Sequence, residues 1–435
     1  MPLAPGKHMR GIQKVVVLGG NGVMGAGASA VFATAGVPTV MLARTPDKAA
    51  AGFARANQLA KGRIPPNVLT AGTYEDDLAG VLDGADLILE AVSEDVTVKR
   101  GVLSLIDQMR DPETIVATVS SGLSIGELCA GYSKSLCSHF VGIHLFNPPT
   151  AILGCELIAH PGTDPGVVAV AREFLTSVIH REVVECHDKP AFAGNRLGFK
   201  LLNEVAQLAE EHGVAFMDRL LGPHTGRALP PLATIDLVGW DVHKAIVDNV
   251  RIRTRDTARE SFRLPKYMQH GIDRGHLGRK TKELGGFYRD KGAFALDPVS
   301  GDYRPVVAVA SPLAEAMEAM LRTRGYPAAM DMLCNARGLE AELVQHVLLG
   351  YISYGLGLVG EVVMRPRDID RIMGFGFCWA PPGLLVDAIG ASRAIAMLEQ
   401  AQLPVPEAIE QSARHQRPIF DESAVDASRF FAVAA

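Results

Sequence analysis

The chain has 435 residues, of which 48% are hydrophobic and 21% charged, and a formal net charge of −5. This is the composition of an ordinary globular protein long enough for two or three domains. It gives no electrostatic reason to expect a nucleic acid or a membrane surface as partner. The six cysteines, at 129, 137, 155, 186, 334 and 378, include no Cys-x-x-Cys pair. That spacing argues against a disulfide framework or a metal site and for reduced thiols in a cytoplasm.

Residues 1–13 read as a disordered tail, and no secretory signal is expected ahead of the first apolar run. That run, Val15-Val16-Val17-Leu18, reads as a buried strand. It leads into Gly20-x-Gly22-x-x-Gly25, followed by a helix and a second strand over 37–43. In this pattern Gly20 permits a tight turn, Gly22 lets backbone approach a pyrophosphate, and Gly25 lets the helix lie on the strand. Val23 and Met24 then stand on the first helical turn, where free N–H groups and the helix dipole favour phosphate.

Further strands are predicted over 86–92, 114–119, 139–146 and 183–186, the first with an acid near its end. Strands alternating with helices give a mostly parallel sheet, with ligands beyond the carboxyl ends of the strands. From Asn195 the pattern turns helical, with Leu197, Leu201, Val205 and Leu208 forming an apolar stripe. An internal repeat follows: Asp218-Arg219-Leu220-Leu221-Gly222 with 232–239 is echoed by Asp370-Arg371-Ile372-Met373-Gly374 with 384–390. Residues 293–314 read as an irregular linker between the copies. The uncharged stretch 343–360 holds Gln345, His346 and Ser353, which favours a buried core helix over a bilayer span.

These blocks resemble the L-3-hydroxyacyl-CoA dehydrogenases, in the long form with two C-terminal helical copies found in fatty-acid β-oxidation multienzymes. The resemblance runs from Lys14 to about Ala391. It rests on residues 20–27, Glu90-Ala91-Val92-Ser93-Glu94, Ser120-Ser121, residues 142–148 (Gly-Ile-His-Leu-Phe-Asn-Pro) and Glu156-Leu157-Ile158. It extends through Asn195-Arg196-Leu197-Gly198, residues 222–227, 278–281 and Gly286-Phe287-Tyr288. The fold it implies is α/β: a Rossmann-type parallel sheet (1–189), then an all-α part. The all-α part comprises a first helical copy (190–300), a linker with connecting helix (301–340) and a second copy (341–435). The enoyl-CoA hydratase half of the multienzymes has no counterpart here.

The resemblance implies hydride transfer between C3 of a 3-hydroxyacyl thioester and a nicotinamide. His144 would act as general acid/base and Glu156 would orient it. Ser121 and Asn195 would hold the substrate oxygens, and Asn147 would shape the loop beside them. Glu94 and Lys99 would stand near the nicotinamide and its ribose. Bland readings compete: Ser121 as a helix N-cap, Asn147 as a turn residue, Lys99 on a solvated helix face. Lys200, in Gly198-x-Lys200-x-x-Asn203, offers a rival catalytic lysine like that of the β-hydroxyacid dehydrogenases, or a solvated lysine.

Three departures from the family pattern stand out. The second strand ends at Arg44-Thr45 with Lys48 one turn on, where NAD enzymes place a carboxylate on the ribose 2′-hydroxyl. The cofactor is therefore NAD or NADP, with acceptance of or preference for NADP expected from the Arg44 fork. Val119 replaces an amide of the family's site loop. The stretch 45–84 is short for the helical hairpin that the family lays against the CoA tail. The basic stretch 251–291, with 12 Lys/Arg against 5 Asp/Glu, is either a solvated surface or a contact for CoA phosphate or an acidic carrier protein.

The function expected is thus an NAD(P)-dependent 3-hydroxyacyl-CoA dehydrogenase acting on an acyl-CoA or acyl-carrier thioester. The alternatives are a biosynthetic dehydrogenase for a carrier-bound or non-CoA hydroxy acid, and a catalytically silent nucleotide-binding protein. The repeat predicts that residues 343–391 pack on the first helical copy as an internal pseudo-dimer, giving a monomer or a homodimer.

Overall fold

The computed structural model describes residues 11–307, 309–420 and 427–431, in two compact units, Met1–Phe192 and Ala193–Ala435. The first unit is built on eight strands: β1 (Val15–Leu18), β2 (Thr39–Ala43), β3 (Leu69–Thr73), β4 (Leu87–Glu90), β5 (Ile115–Thr118), β6 (Phe140–Leu145), β7 (Gly154–Ala159) and β8 (Glu182–His187). They form one sheet in the order β3-β2-β1-β4-β5-β6-β7-β8. Every pairing is parallel except β6 with β7. The helices are α1 (Val23–Thr34), α2 (Pro46–Ala60), α3 (Tyr74–Leu82), α4 (Val96–Met109), α5 (Ile125–Cys129), α6 (Lys134–Ser138) and α7 (Pro165–Glu173). Strands β1, β4, β5 and β6 are buried at every residue. A sheet covered on both faces demands such continuous apolar runs.

Three expectations need correction here. Residues 11–13 are not a loose tail: Ile12 joins the core, and the Gln13 and Lys14 amides donate to the Asp86 carboxylate at 2.8 and 2.9 Å. The rest of the expected tail, 1–10, lies outside the described residues. Two strands were not foreseen. Edge strand β3 is Leu-Thr-Ala-Gly-Thr, half exposed and poor in β-formers. Strand β7 was masked by the long apolar run that begins in β6.

The second unit contains α8 (Gly194–His212), α9 (Val214–Leu220), α10 (Pro231–Val238), α11 (Trp240–Arg253) and α12 (Lys266–Asp273). After these come β9 (Tyr288–Arg289), β10 (Phe294–Leu296) and β11 (Tyr303–Pro305), which form a small antiparallel sheet. The unit closes with α13 (Pro312–Arg324), α14 (Tyr326–Asn335), α15 (Leu339–Gly357), α16 (Pro366–Ile372), α17 (Pro382–Ile389), α18 (Ala391–Gln400) and α19 (Glu407–His415). The unit is therefore not all-α, and much of the stretch 293–314 is ordered structure rather than linker. A turn fixed by Asp297, whose carboxylate accepts from the Val299 and Ser300 amides, joins β10 to β11. Strands of two or three residues are too short to leave a period in the sequence.

The sequence repeat has a counterpart in hydrogen bonding. Asp218 on α9 accepts from the Leu232 and Ala233 amides in the first turn of α10, and Asp370 on α16 accepts from Gly383 in the first turn of α17. Asp236 on α10 accepts from the Phe287 and Tyr288 amides, and Asp387 on α17 from those of Ile419 and Phe420. Helices α8 and α15, 19 residues each, lie against one another. A Cβ at Gly355 would come within 2.7 Å of the Leu197 side chain and 3.0 Å of the Pro382 ring, so glycine eases this close approach. Among the described residues no helix is long and apolar enough to cross a membrane.

His243 on α11 is fully buried beside the Phe199 ring. The Asn203 amide group donates to the carbonyls of Ser261 and Arg263, so its oxygen accepts from His243 Nε2 at 3.0 Å. Nδ1 has no hydrogen-bond partner among the described residues, and burial pushes the imidazole down to about 3. A depressed folded value gives stability that is complete above the unfolded value near 6.5 and is lost as pH falls toward the folded one. We expect the stability advantage of the wild type over His243→Gln to shrink by about 2 kcal/mol between pH 7.5 and 5. Urea unfolding followed by circular dichroism measures it; an advantage independent of pH would show that His243 is not held neutral.

Candidate active site

Strand β1 delivers the glycine turn. The positive φ (82°) falls on Gly19, where a Cβ would sit 2.4 Å from the Ala91 carbonyl oxygen, so the tight turn belongs to Gly19 rather than Gly20. Gly20 is needed for another reason: its Cβ would strike the Met41 side chain. Gly25 lies on the Gly19 carbonyl, where a Cβ would stand at 2.3 Å, as close helix–strand packing requires. Gly22 is the N-cap of α1 and is the least crowded of the three; no side chain caps the helix there. Val23 is exposed and Met24 half-buried on the first turn. An open backbone at an uncapped helix N-terminus fits a dinucleotide pyrophosphate. The Tyr74 hydroxyl, not anticipated from the sequence, accepts from the Gly19 amide at 2.7 Å and holds the turn.

At the end of β2, Arg44, Thr45 and Lys48 are all exposed. Thr45 is also the N-cap of α2, accepting from the Lys48 amide at 3.4 Å. Residues 61–68 alone join α2 to β3, with no helical hairpin between them.

The reversal of β7 against β6 sets His144 directly opposite Glu156. His144 Nδ1 lies 2.6 Å from Glu156 Oε2, with the carboxylate fully buried and the imidazole nearly so. The carboxylate can only accept, so the network assigns the proton to Nδ1 and leaves the Nε2 lone pair for a ligand. The Cys186 thiol of β8 donates to the other oxygen, Oε1, at 3.6 Å. The rings of Phe146 and Phe192 flank the imidazole at 5.0 and 5.7 Å. Asn147 is exposed just past β6 and precedes a cis peptide to Pro148.

A second buried network lies beyond β4 and β5. Lys99 is not on a solvated face: its ammonium is fully buried, 3.0 Å from both oxygens of Glu90 and 3.2 Å from Glu94. Glu90 also accepts from the Thr118 hydroxyl at 2.6 Å and the Val92 amide at 2.7 Å. Glu94 turns its other oxygen to the loop after β5, where it accepts from the Ser120 hydroxyl (2.6 Å), the Ser121 amide (2.9 Å) and the Gly122 amide (3.2 Å). Ser121 is no helix N-cap; α5 starts at Ile125 and Ser124 caps it. Asp188 fixes that helix start, accepting from the Ser124 hydroxyl and the Ile125 and Gly126 amides. Glu90 was visible as the acid ending an apolar strand, but no role had been drawn from it. Nothing in the sequence pattern pointed to Tyr74 or Asp188.

Asn195 belongs to the second unit, buried at the second position of α8. Its neighbour Arg196 is bound to Asp256 (2.5 Å) and Glu361 (2.7 Å), and the Tyr354 hydroxyl also donates to Asp256. Lys200 is not a solvated lysine either; it is buried and tied to both oxygens of Glu204 at 3.0–3.1 Å.

Residues 14–189 match the model of the 3-hydroxyacyl-CoA dehydrogenase NAD-binding domain, and residues 192–290 that of its C-terminal domain. The chain belongs to the 3-hydroxyacyl-CoA dehydrogenase family. A probable 3-hydroxyacyl-CoA dehydrogenase of Bacillus subtilis is 30% identical over 92% of this chain, which spans 53% of that relative's length. One of Deinococcus radiodurans is 32% identical over 64% of this chain and 83% of its own. The crystal structure of 3-hydroxybutyryl-CoA dehydrogenase from Escherichia coli matches 93% of this chain and 98% of its own at a TM-score of 0.71. At 20% identity that likeness shows the fold alone. The first unit is thus a nicotinamide-nucleotide-binding domain of this dehydrogenase family.

Proposed function

We propose that the chain is an NAD(P)-dependent L-3-hydroxyacyl-CoA dehydrogenase. The observation that carries this reading is the 2.6 Å contact of His144 Nδ1 with buried Glu156. It leaves Nε2 free to take the proton of a 3-hydroxyl group and to return it in reduction. The imidazolium so formed is stabilised by Glu156, whose carboxylate cannot turn away because β7 and the Cys186 thiol hold it. On this reading Ser121 of the first unit would orient a substrate oxygen through its hydroxyl, Asn195 of the second would do so through its amide, and Asn147 would shape the loop after β6. A bound nicotinamide supplies the hydride acceptor in one direction and the donor in the other. Gly20, Gly22, Val23, Met24 and Gly25 would offer backbone to its phosphates, and Glu94 would stand near its ring. Lys99, spent on Glu90 and Glu94, acts by positioning Glu94 rather than by touching the cofactor.

The repeated roles of Asp218 and Asp370, and of Asp236 and Asp387, support two helical copies packed as an internal pseudo-dimer. A carrier-bound thioester is the second reading. It is favoured by the bare 61–68 connection, which leaves no hairpin for a CoA tail.

His144→Gln should lower kcat by about 10²–10⁴-fold with nucleotide affinity unchanged. Steady-state assay beside fluorescence titration with NADH tests this, and full turnover in the variant would refute the assignment. The exposed Arg44, with no carboxylate at the end of β2, leads us to expect that NADPH is accepted. Arg44→Ala should weaken NADPH at least tenfold and leave NADH nearly unchanged; strong NAD preference in the wild type with no effect of the substitution would contradict it.

A further inference from the structure

Strands β3, β2 and β1 end side by side in the first unit, and the residues just past their carboxyl ends are Tyr74, Arg44 and Gly19. Ligands of such sheets bind beyond these ends. Tyr74 opens α3, and its hydroxyl reaches across the end of β2 to accept from the Gly19 amide at 2.7 Å. The phenol is half-buried and Arg44 is exposed. Burial pushes the phenol up, against the opposing pull of the Gly19 amide and the nearby Arg44 charge, so it stays protonated near neutral pH. A phenol can accept and also donate. Accepting from Gly19 leaves the Tyr74 proton without an acceptor among the described residues.

The carboxylates of this region do not neutralise Arg44. Glu90, which also bears on the phenol, is tied to Lys99, Thr118 and the Val92 amide. At the head of α3, Asp76 accepts from the Thr73 hydroxyl and Asp77 from the Thr73 amide. Glu75 on α3 and Asp47 on α2 are exposed. Among the described residues neither Arg44 nor Lys48 forms an ion pair.

A carboxylate at the end of β2 holds a ribose 2′-hydroxyl in NAD enzymes, and its charge repels a 2′-phosphate. Here a neutral phenol lies across that strand end, keeps a proton to give and stands near an unpaired guanidinium. A phosphomonoester carries about −1.5 to −2 charge near neutral pH and three acceptor oxygens. Charge-assisted bonds to it are roughly twice as strong as the neutral bond that a 2′-hydroxyl could make with the same phenol. We propose that the Tyr74 hydroxyl, together with Arg44, binds the 2′-phosphate of NADP(H) and so sets the cofactor preference. The proposal rests on the acceptance of NADPH in the reading above and deepens it by naming a second residue.

The test is calorimetric titration of adenosine 2′,5′-bisphosphate and adenosine 5′-monophosphate into the full chain. The two probes differ only in the 2′-phosphate. Wild type is compared with Tyr74→Phe, Arg44→Ala and the double variant. Wild type should bind the bisphosphate more tightly, with the difference shrinking as salt rises. Loss of the Gly19 acceptor in Tyr74→Phe should weaken both probes alike. Loss of the donor should weaken the bisphosphate by about a further tenfold. The double variant should lose less than the product of the single losses, because both groups act on one phosphate. Equal weakening of both probes in Tyr74→Phe, with Arg44→Ala selective for the bisphosphate, would overturn the role of Tyr74 and leave the NADPH reading standing. A wild type with no preference for the bisphosphate would overturn both. Selective, Tyr74-dependent bisphosphate binding in a protein that turns over no thioester would support the proposal and count against the dehydrogenase reading.

Discussion

The hydrogen bond between His144 and Glu156 depends on one topological fact, the antiparallel step between β6 and β7 in a sheet otherwise paired in parallel. Two residues twelve apart come face to face only because the chain reverses there. The reversal also lets β8, running parallel to β7, bring Cys186 under the same carboxylate. A buried carboxylate is costly unless it is hydrogen-bonded or paired. Glu156 therefore needs the imidazole as much as the imidazole needs Glu156, and the tautomer of His144 follows from that mutual requirement.

The trio of Glu90, Lys99 and Glu94 follows similar logic on the neighbouring strands. Burying an ammonium between carboxylates adds little net stability, because desolvation cancels most of the attraction. Such a trio instead fixes geometry. With one oxygen tied to Lys99, Glu94 presents the other to three donors of the 120–122 loop, so the position of Ser121 is inherited from Lys99 on α4 and, through it, from Glu90 at the end of β4. The Arg196 contacts with Asp256 and Glu361 similarly hold the helical turn that carries Asn195.

Much of this was legible in the sequence because its signals are local. Apolar runs gave six of the strands, and the glycine spacing placed the nucleotide turn to within one residue. The spacing of His144 and Glu156, read through the family resemblance, matched a cross-strand pair. What the sequence hid was long-range or compensatory. Lys99 resembles any helix-face lysine until Glu90, nine residues earlier, is seen beside it in space. Asp188 caps α5 from more than sixty residues away, and Tyr74 holds Gly19 from fifty-five away. The sheet of β9 to β11 escaped because its strands are shorter than any period they could show. The repeat was visible as text, but its meaning, paired aspartates each tying down a helix start or a later loop, emerges only in the folded chain.

The most direct measurement is reduction of acetoacetyl-CoA with NADH and with NADPH, followed by loss of nicotinamide absorbance. We expect oxidation of at least one reduced cofactor, dependent on the thioester and saturable in it. A protein that binds the nucleotide yet reduces no 3-oxoacyl thioester, whether on CoA, pantetheine or a carrier protein, would contradict the claim that His144 and Glu156 form a working acid–base pair.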